Sequence, residues 1–157
     1  MEAVRRATTD DVSALVELAE ALSSELAPMR GGAIWHARDA RGPSGNLATE
    51  FRSLLSDPDA TVLVGTIDDV VVGFAAVVYE TLHDGGVLAR ITELFVLDDA
   101  RAVGVGELIA DEIVREARAR GCVGVDAPAL PGHRAAKNFF ERQGFTARLI
   151  TMHKPLA

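Results

Sequence analysis

Apolar residues in the first part of the chain recur with helical spacing. They follow a short strand candidate, "VRRA", and a Thr8-x-x-Asp11 pair that is typical of a capping box. The apolar stripe consists of Val12, Leu15, Val16, Ala19, Leu22 and Leu26. It predicts one helix packed on a core. The stretch from Pro28 to Asn46 has no sustained period and predicts a long loop, and "LATEFRSLLS" then predicts a short helix that stops at Asp57-Pro58-Asp59.

The rest of the chain alternates between strand and helix patterns. Two β-branched runs, "TVLVGT" and "VVVGFAAVVYETL", are joined at Ile67-Asp68-Asp69 and predict an antiparallel hairpin, and "VLARITELFV" predicts a third strand. A helix is predicted from Gly106 to Gly121, then a strand at "CVGVDAPAL", a helix at "HRAAKNFFERQG" and a final strand at "FTARLITMHKPL". The order strand, helix, helix, three strands, helix, strand, helix, strand predicts a mixed α/β domain.

Composition narrows the class of protein. The chain has 157 residues, 48% of them apolar, so we expect one compact domain, residues 1–157, whose core needs neither disulfides nor metal. The single cysteine, Cys122, lies in an apolar segment and is interpreted as a buried small residue. The lack of a long apolar run and of an apolar N-terminal stretch predicts a soluble cytoplasmic protein with no membrane partner. A net charge of -7 argues against a general nucleic-acid binder.

The segment Arg101-Ala102-Val103-Gly104-Val105-Gly106 joins a predicted strand to a predicted helix. The first N–H groups of a helix have no partner within it, and the helix dipole favours an anion there. Glycines let a phosphate approach these amides, and the Arg101 guanidinium can add a charge-assisted contact. An ordinary tight turn would use the same glycines. Two other phosphate motifs are excluded, because Ile109 stands at the third glycine of a G-x-G-x-x-G fingerprint and no G-x-x-x-x-G-K-[ST] run occurs.

Two motifs carry a resemblance to a known family. Arg101-x-x-Gly104-x-Gly106 resembles the acetyl-CoA-binding segment of the GNAT superfamily of N-acetyltransferases, and "HRAAKNFFERQGF", from His133 to Phe145, resembles its late helix. The resemblance implies an α/β (α+β) fold: a mixed, mostly antiparallel sheet with a splayed central pair of strands and flanking helices. It also implies that the pantetheine arm of acetyl-CoA enters the splay along Phe95 and Val96, with the Val96 N–H facing the thioester carbonyl. The pyrophosphate would then lie against Arg101, Ala102, Val103, Gly104, Val105 and Gly106.

The acceptor chemistry implied by the resemblance requires a group that removes a proton. A lysine-type amine has a pKa near ~10.4 and must lose a proton before it attacks the thioester. The resemblance suggests Glu93 as the group that takes this proton, directly or through water, and a solvated strand carboxylate is the alternative. Glu80 and His83 are further candidates, or ordinary surface residues. Trp35, with His36, either helps form the acceptor pocket or anchors its loop on the core.

Two positions depart from the family pattern. Phe140 stands where the family often has a tyrosine that protonates the departing thiolate, a role that water can fill, and His133 replaces the usual asparagine. The resulting hypothesis is direct acetyl transfer from acetyl-CoA to a primary amine of a small molecule or a protein in a ternary complex. The alternatives are a non-catalytic acyl-CoA sensor and a site for another phosphate ligand. The histidines lack metal-ligand spacing, so no metal is expected, and by analogy the final strand is expected to contribute to a homodimer.

Overall fold

A computed structural model describes residues 1–42 and 45–156 of the chain. The strands within these residues are β1 Glu2–Arg6, β2 Ala60–Ile67, β3 Val70–Thr81, β4 Val87–Val96 and β5 Gly124–Asp126. The helices are α1 Val12–Leu26, α2 Gly32–Ile34, α3 Leu47–Leu55, α4 Val105–Ala119 and α5 Arg134–Arg142. Two 3-10 turns lie at Thr9–Asp11 and Asp98–Val103, and a π-helical turn lies at Trp35–Asp39.

The strands form one mixed sheet in the order β1-β2-β3-β4-β5. Neighbours from β1 to β4 are antiparallel, and β4 pairs with β5 in parallel. The β4–β5 ladder joins only Leu88–Arg90 to Gly124–Asp126. The remaining part of β4, from Ile91 to Val96, therefore has no β5 neighbour, and the two strands separate towards the C-terminal end of β4. This confirms the predicted mixed, mostly antiparallel sheet with flanking helices, and the splayed pair, β4 and β5, lies at one edge of the sheet.

The sheet carries a core on each face. Helix α4 covers one face, where its buried side chains pack with residues of β2, β3 and β4. Helices α1 and α3 cover the other face, around Phe51, Phe74 and Phe95. Gly65 of β2 lies directly under α4, since a Cβ added there would stand 2.4 Å from Cγ1 of Val105 and 2.9 Å from Cδ1 of Ile109. A side chain at this position would push the first turns of α4 away from the sheet.

A β-bulge in β4 decides which residues face α1 and α3. The β3–β4 register shifts between Ala76 and Val77, so that Thr92 has no direct partner. Ile91 packs in the α4 core, whereas Phe95 packs in the α1/α3 core. Residues two apart in a strand share a face, so Glu93 lies on the same face as Phe95. A bulge moves every following side chain to the opposite face, and this one turns Glu93 towards α1 and α3.

The prediction of a final strand at residues 145–156 is wrong. Residues 145–156 contain no strand, and several of their apolar side chains are exposed, including those of Leu149, Ile150 and Met152. The segment contacts β5 through a side chain, because Arg148 Nε lies 2.8 Å from Asp126 Oδ1. This ion pair holds the pKa of Asp126 below its ordinary value of 3.8. A strand needs a continuous edge for its backbone groups, and β5 has only three residues.

The predicted loop from Pro28 to Asn46 is partly helical. Within its described residues, Gly31 takes a left-handed conformation with φ 84° and opens α2, which continues into the π-helical turn. Trp35 packs against the α1/α3 core and anchors this segment. The aperiodic pattern missed these turns because they are short and expose most of their residues. Pro43 and Ser44 of the predicted loop lie outside the described residues.

Candidate active site at the junction of β4 and α4

Beyond Arg90, the edge of β4 that faces β5 has backbone N–H and C=O groups without a strand partner in the described residues. Leu97 N donates a hydrogen bond to Val72 O over 2.8 Å, towards β3. Because N–H groups alternate in direction along a strand, the Val96 N–H points the opposite way, towards β5. The β4–β5 ladder has already ended at Arg90. Within residues 1–42 and 45–156, the Val96 N–H therefore has no strand partner, in agreement with the predicted donor at this position.

The first turn of α4 also has unpaired N–H groups. Gly104 takes a left-handed conformation with φ 92° and precedes the helix, and the first hydrogen bond at this end runs from Leu108 N to Gly104 O over 3.1 Å. In the part of the chain that the structure describes, the N–H groups of Val105, Gly106 and Glu107 have no acceptor. Unpaired N–H groups at a helix N-terminus attract an anion.

These amides lie beside a surface cavity, which we call the junction cavity. Its volume is about 240 Å³, and its lining consists of Arg101, Ala102, Gly104, Gly106, Glu107, Phe139 and Arg142. A cavity of this volume is large enough for a phosphate group to enter. Two arginines and the start of α4 thus supply positive potential, and Glu107 is the acidic residue of the lining. Val103 lies beside the cavity in the 3-10 turn but does not line it.

The two glycines of the motif have different surroundings. Apart from its two chain neighbours, no described residue has an atom within 4 Å of a Cβ added at Gly104, so its backbone is open to a ligand. A Cβ added at Gly106 would stand 3.3 Å from Cε1 of Phe139. Gly106 therefore allows Phe139 of α5 to pack closely on α4. Sequence reasoning assigned both glycines to phosphate approach, and the geometry supports that role for Gly104.

Arg101 is held by the protein in this structure. Its Nε donates to Val96 O over 2.8 Å, and its terminal nitrogen donates to both carboxylate oxygens of Glu25 at 2.9 and 3.0 Å. The guanidinium also lies 5.3 Å from the centroid of the Phe95 ring. Arg101 thus fixes the end of β4 against α1, and a phosphate would have to compete with Glu25 for it.

Arg142 is a candidate phosphate contact that sequence reasoning missed. It lies on α5 and lines the junction cavity together with Phe139, one helical turn earlier. Residues three apart on a helix share a face. The resemblance already marked Phe139, so this spacing was the signal that could have identified Arg142.

Glu93 is buried in an ion pair. It is 7% exposed, and Arg41 Nε donates to its Oε2 over 2.8 Å. Arg41 also donates to Thr92 Oγ1 over 3.1 Å. The alternative interpretation, a solvated strand carboxylate, is therefore wrong, because the β-bulge turns the side chain inwards. Arg41 gave no sequence signal, since it lies in an aperiodic segment rich in arginine and glycine.

The other acceptor-side candidates lie in different environments. Glu80 and His83 are exposed, and Glu80 forms a surface pair with Arg90 at 3.5 Å. Trp35 is half-buried on the α1/α3 core, which supports its anchoring role. The His36 ring lies 6.4 Å from that of Trp35, and His36 Nδ1 is buried without a hydrogen-bond partner among the described residues.

The two departures from the family motif lie on or beside α5. Phe140 is 9% exposed, and its ring centroid lies 5.3 Å from that of Phe139 and 5.2 Å from that of Phe145. It is therefore a core residue as well as a residue without a hydroxyl group. His133 precedes α5, and burial lowers its pKa below the ordinary value of 6.5, with Glu25 acting in the opposite direction.

Two further findings concern metals and membranes. Among residues 1–42 and 45–156, no three His, Cys, Asp or Glu side chains are grouped so that they could hold a metal ion. In the same residues, no helix has the length and apolar character needed to cross a membrane.

A match to a sequence model of a known family identifies the family of this chain. A model of the acetyltransferase (GNAT) family matches residues 31–145. The chain therefore belongs to this family. No curated protein sequence matches the chain significantly.

Solved structures show the same fold at low sequence identity. A tetramutant of the BH1408 protein from Bacillus halodurans superposes with a TM-score of 0.81 at 22% identity, covering 98% of this chain and 99% of that one. The glucosamine-6-phosphate N-acetyltransferase of Arabidopsis thaliana gives 0.73 at 17% identity, with 100% and 99% covered. An aminoglycoside acetyltransferase from an uncultured soil metagenomic sample gives 0.71 at 17% identity, with 99% and 95% covered.

Proposed function

We propose that the chain transfers the acetyl group of acetyl-CoA to a primary amine, by direct attack within a ternary complex. The observation that carries the proposal is the set of unpaired N–H groups of Val105, Gly106 and Glu107 beside the junction cavity. A diphosphate is an anion that such a helix start binds well. Membership of the acetyltransferase family supports coenzyme A as the source of that diphosphate.

The proposed roles follow the geometry of the junction. The amides at the start of α4 bind the diphosphate, Gly104 admits it to the backbone, and Arg142 adds positive charge. The separated edge of β4 at Phe95 and Val96 accepts the pantetheine arm as an added strand would pair. The Val96 N–H donates to the thioester carbonyl oxygen while that oxygen gains negative charge during attack.

Glu93 is the proposed acceptor of the amine proton. It lies three residues before Val96, which corresponds to about 10 Å along a strand at ~3.3 Å per residue. A proton can cross such a distance through one or two waters. Phe140 has no hydroxyl group, so water protonates the thiolate of the leaving coenzyme A.

The acceptor class, assembly and location complete the proposal. The names of two similar structures refer to amino sugars or aminoglycosides, and both kinds of compound carry primary amines, so we propose a primary amine as the acceptor. We also propose that residues 1–157 act as one cytoplasmic domain. The exposed apolar side chains of residues 149–156 would be covered in a homodimer.

Thermal unfolding in the presence of acetyl-CoA tests the donor. At a concentration of 100 times its Kd, a ligand that binds only the native state adds about 2.7 kcal/mol to the free energy of unfolding. This raises the Tm of a chain of this size by about 5–11 °C. If acetyl-CoA does not raise the Tm, acetyl-CoA is not the donor. Release of free coenzyme A with a panel of primary amines then tests transfer.

A non-catalytic acyl-CoA sensor is the second candidate. Two observations favour it: Phe140 supplies no acid for the leaving thiolate, and Arg41 already pairs with Glu93. The two candidates differ in one result. A sensor shows the thermal shift with acetyl-CoA but releases no free thiol with any amine in the panel.

A further inference from the structure

Arg41 reaches a buried carboxylate from a segment that is mostly at the surface. Its side chain is 18% exposed and that of Glu93 is 6% exposed. Another arginine of the segment, Arg38, is 75% exposed and pairs with its neighbour Asp39. Burying one long charged side chain of a surface segment is costly unless its charge is matched. The placement of Arg41 is therefore specific to Glu93.

Three different groups hold the Arg41 guanidinium. The Glu93 carboxylate accepts at 2.8 Å, the Thr92 hydroxyl accepts at 3.1 Å, and the ring centroid of Phe51 lies 5.9 Å away. A carboxylate, a hydroxyl and an aromatic face together form a cation site. The backbone supports this arrangement, because a Cβ added at Gly42 would stand 2.6 Å from Cγ of Leu47. Gly42 thus packs closely on Leu47 of α3.

We infer that Arg41 occupies the position that the acceptor's ammonium group takes beside Glu93, and that the acceptor binds by displacing it. This inference rests on the proposed function. A buried carboxylate needs a matching positive charge in both states, and exchanging a guanidinium for an ammonium preserves that match. The substrate class is therefore an amine that is protonated in solution.

The exchange leads directly to the chemistry. Once the ammonium has replaced Arg41, one N–H proton passes to the Glu93 carboxylate, directly or through water. The nitrogen keeps the electron pair of that N–H bond and becomes neutral, while Glu93 becomes a neutral acid. The uncharged amine is then free to leave the carboxylate and move along β4 to the thioester at Val96, where it attacks. Arg41 thus competes with the acceptor, and the apparent KM for the amine contains the free energy of displacing it.

Variants of the full-length chain separate competition from other roles. Arg41→Ala removes the resident cation and leaves Glu93 without a matching charge, so the KM for an accepted amine should fall about tenfold. Arg41→Gln keeps a polar side chain against Glu93 and Thr92 without the charge, and it serves if Arg41→Ala does not fold. Arg38→Ala is the matched control, because it removes an equal charge from the same segment without contacting Glu93.

A binding measurement tests the inference without turnover. Methylguanidinium chloride should raise the Tm of Arg41→Ala or Arg41→Gln, relative to sodium chloride at the same concentration. The unsubstituted chain and Arg38→Ala should show no such rise in Tm, because guanidinium salts by themselves only destabilise a folded chain. This arm gives a result even if no amine in the panel is acetylated, which separates failure of the inference from failure of the proposed function.

The inference is overturned by either of two results in a folded Arg41 variant. One is an amine KM equal to or above that of the unsubstituted chain while Arg38→Ala is also unchanged. The other is a Tm that does not respond to methylguanidinium. A fall in kcat at constant KM would instead assign Arg41 to positioning Glu93, and would also overturn it.

Discussion

Replacing Gly104 by alanine should weaken acetyl-CoA binding far more than it weakens the fold. Gly104 has φ 92°, and no described atom lies within 4 Å of the Cβ that alanine would add. The methyl group therefore meets no neighbour but occupies the open side of the backbone, where the diphosphate is proposed to bind. The cost to the fold is the strain of an L-residue in the left-handed region, roughly 1–2 kcal/mol.

Gly144→Ala is the matched control for this strain. Gly144 has φ 89° and likewise has no described atom within 4 Å of an added Cβ, but it follows α5 and does not line the junction cavity. Both variants should lose about 2–8 °C in Tm. Loss of one charge-assisted hydrogen bond to the diphosphate corresponds to about 1.5–3 kcal/mol, which is about a ten- to hundredfold rise in Kd. That rise should occur for Gly104→Ala alone.

Calorimetric titration with acetyl-CoA, after unfolding scans of all three chains, provides the measurement. If Gly104→Ala is folded and binds acetyl-CoA as tightly as the Gly144→Ala control, the start of α4 is not the phosphate site. Equal weakening in both variants would also refute the reasoning, because it would trace the loss to general destabilisation.

Two further predictions concern carboxylates. Glu93→Gln should lower kcat/KM most at low pH, where neutral amine is scarcest, and a pH-independent loss would assign proton removal to another group. Asp11 accepts from Arg5 at 2.8 and 3.0 Å and from Thr8 N at 2.8 Å, and its pKa lies below the ordinary 3.8, chiefly because of Arg5. The ionised Asp11 carboxylate therefore stabilises the fold fully above pH 3.8. This contribution is lost as the pH falls through the pKa that Asp11 has in the folded state. Asp11→Asn should therefore cost about 1–2 kcal/mol at pH 7 and progressively less below pH 3.8 in urea unfolding, whereas an equal loss in acid would contradict this assignment.

Local patterns predicted most of the fold. The capping box at Thr8 and Asp11 is present, and the hairpin of β2 and β3 turns at Asp68 and Asp69, both with positive φ. These features depend on residues close together in sequence, which a periodic pattern records. The final strand depends instead on a partner edge, and the pattern of residues 145–156 contains no information about the length of β5.

The sequence predicted those parts of the candidate site that consist of backbone groups. The glycines and the position of the helix start located the unpaired amides of α4 because backbone geometry follows from local sequence. Side-chain partners across the chain were not predictable. Arg41 meets Glu93 across 52 positions and Arg101 meets Glu25 across 76, and the bulge that turns Glu93 inwards is a property of the β3–β4 register.

The closeness of Gly65 to Val105 links the proposed phosphate site, at the start of α4, to strand β2. Because β2 has no side chain at that point, α4 rests directly on the sheet, and the height of its first turn determines where its N–H groups stand. A residue outside the junction cavity therefore sets the depth of the proposed anion site. A substitution in β2, under α4, can thus change which donor binds while every residue that lines the junction cavity stays the same.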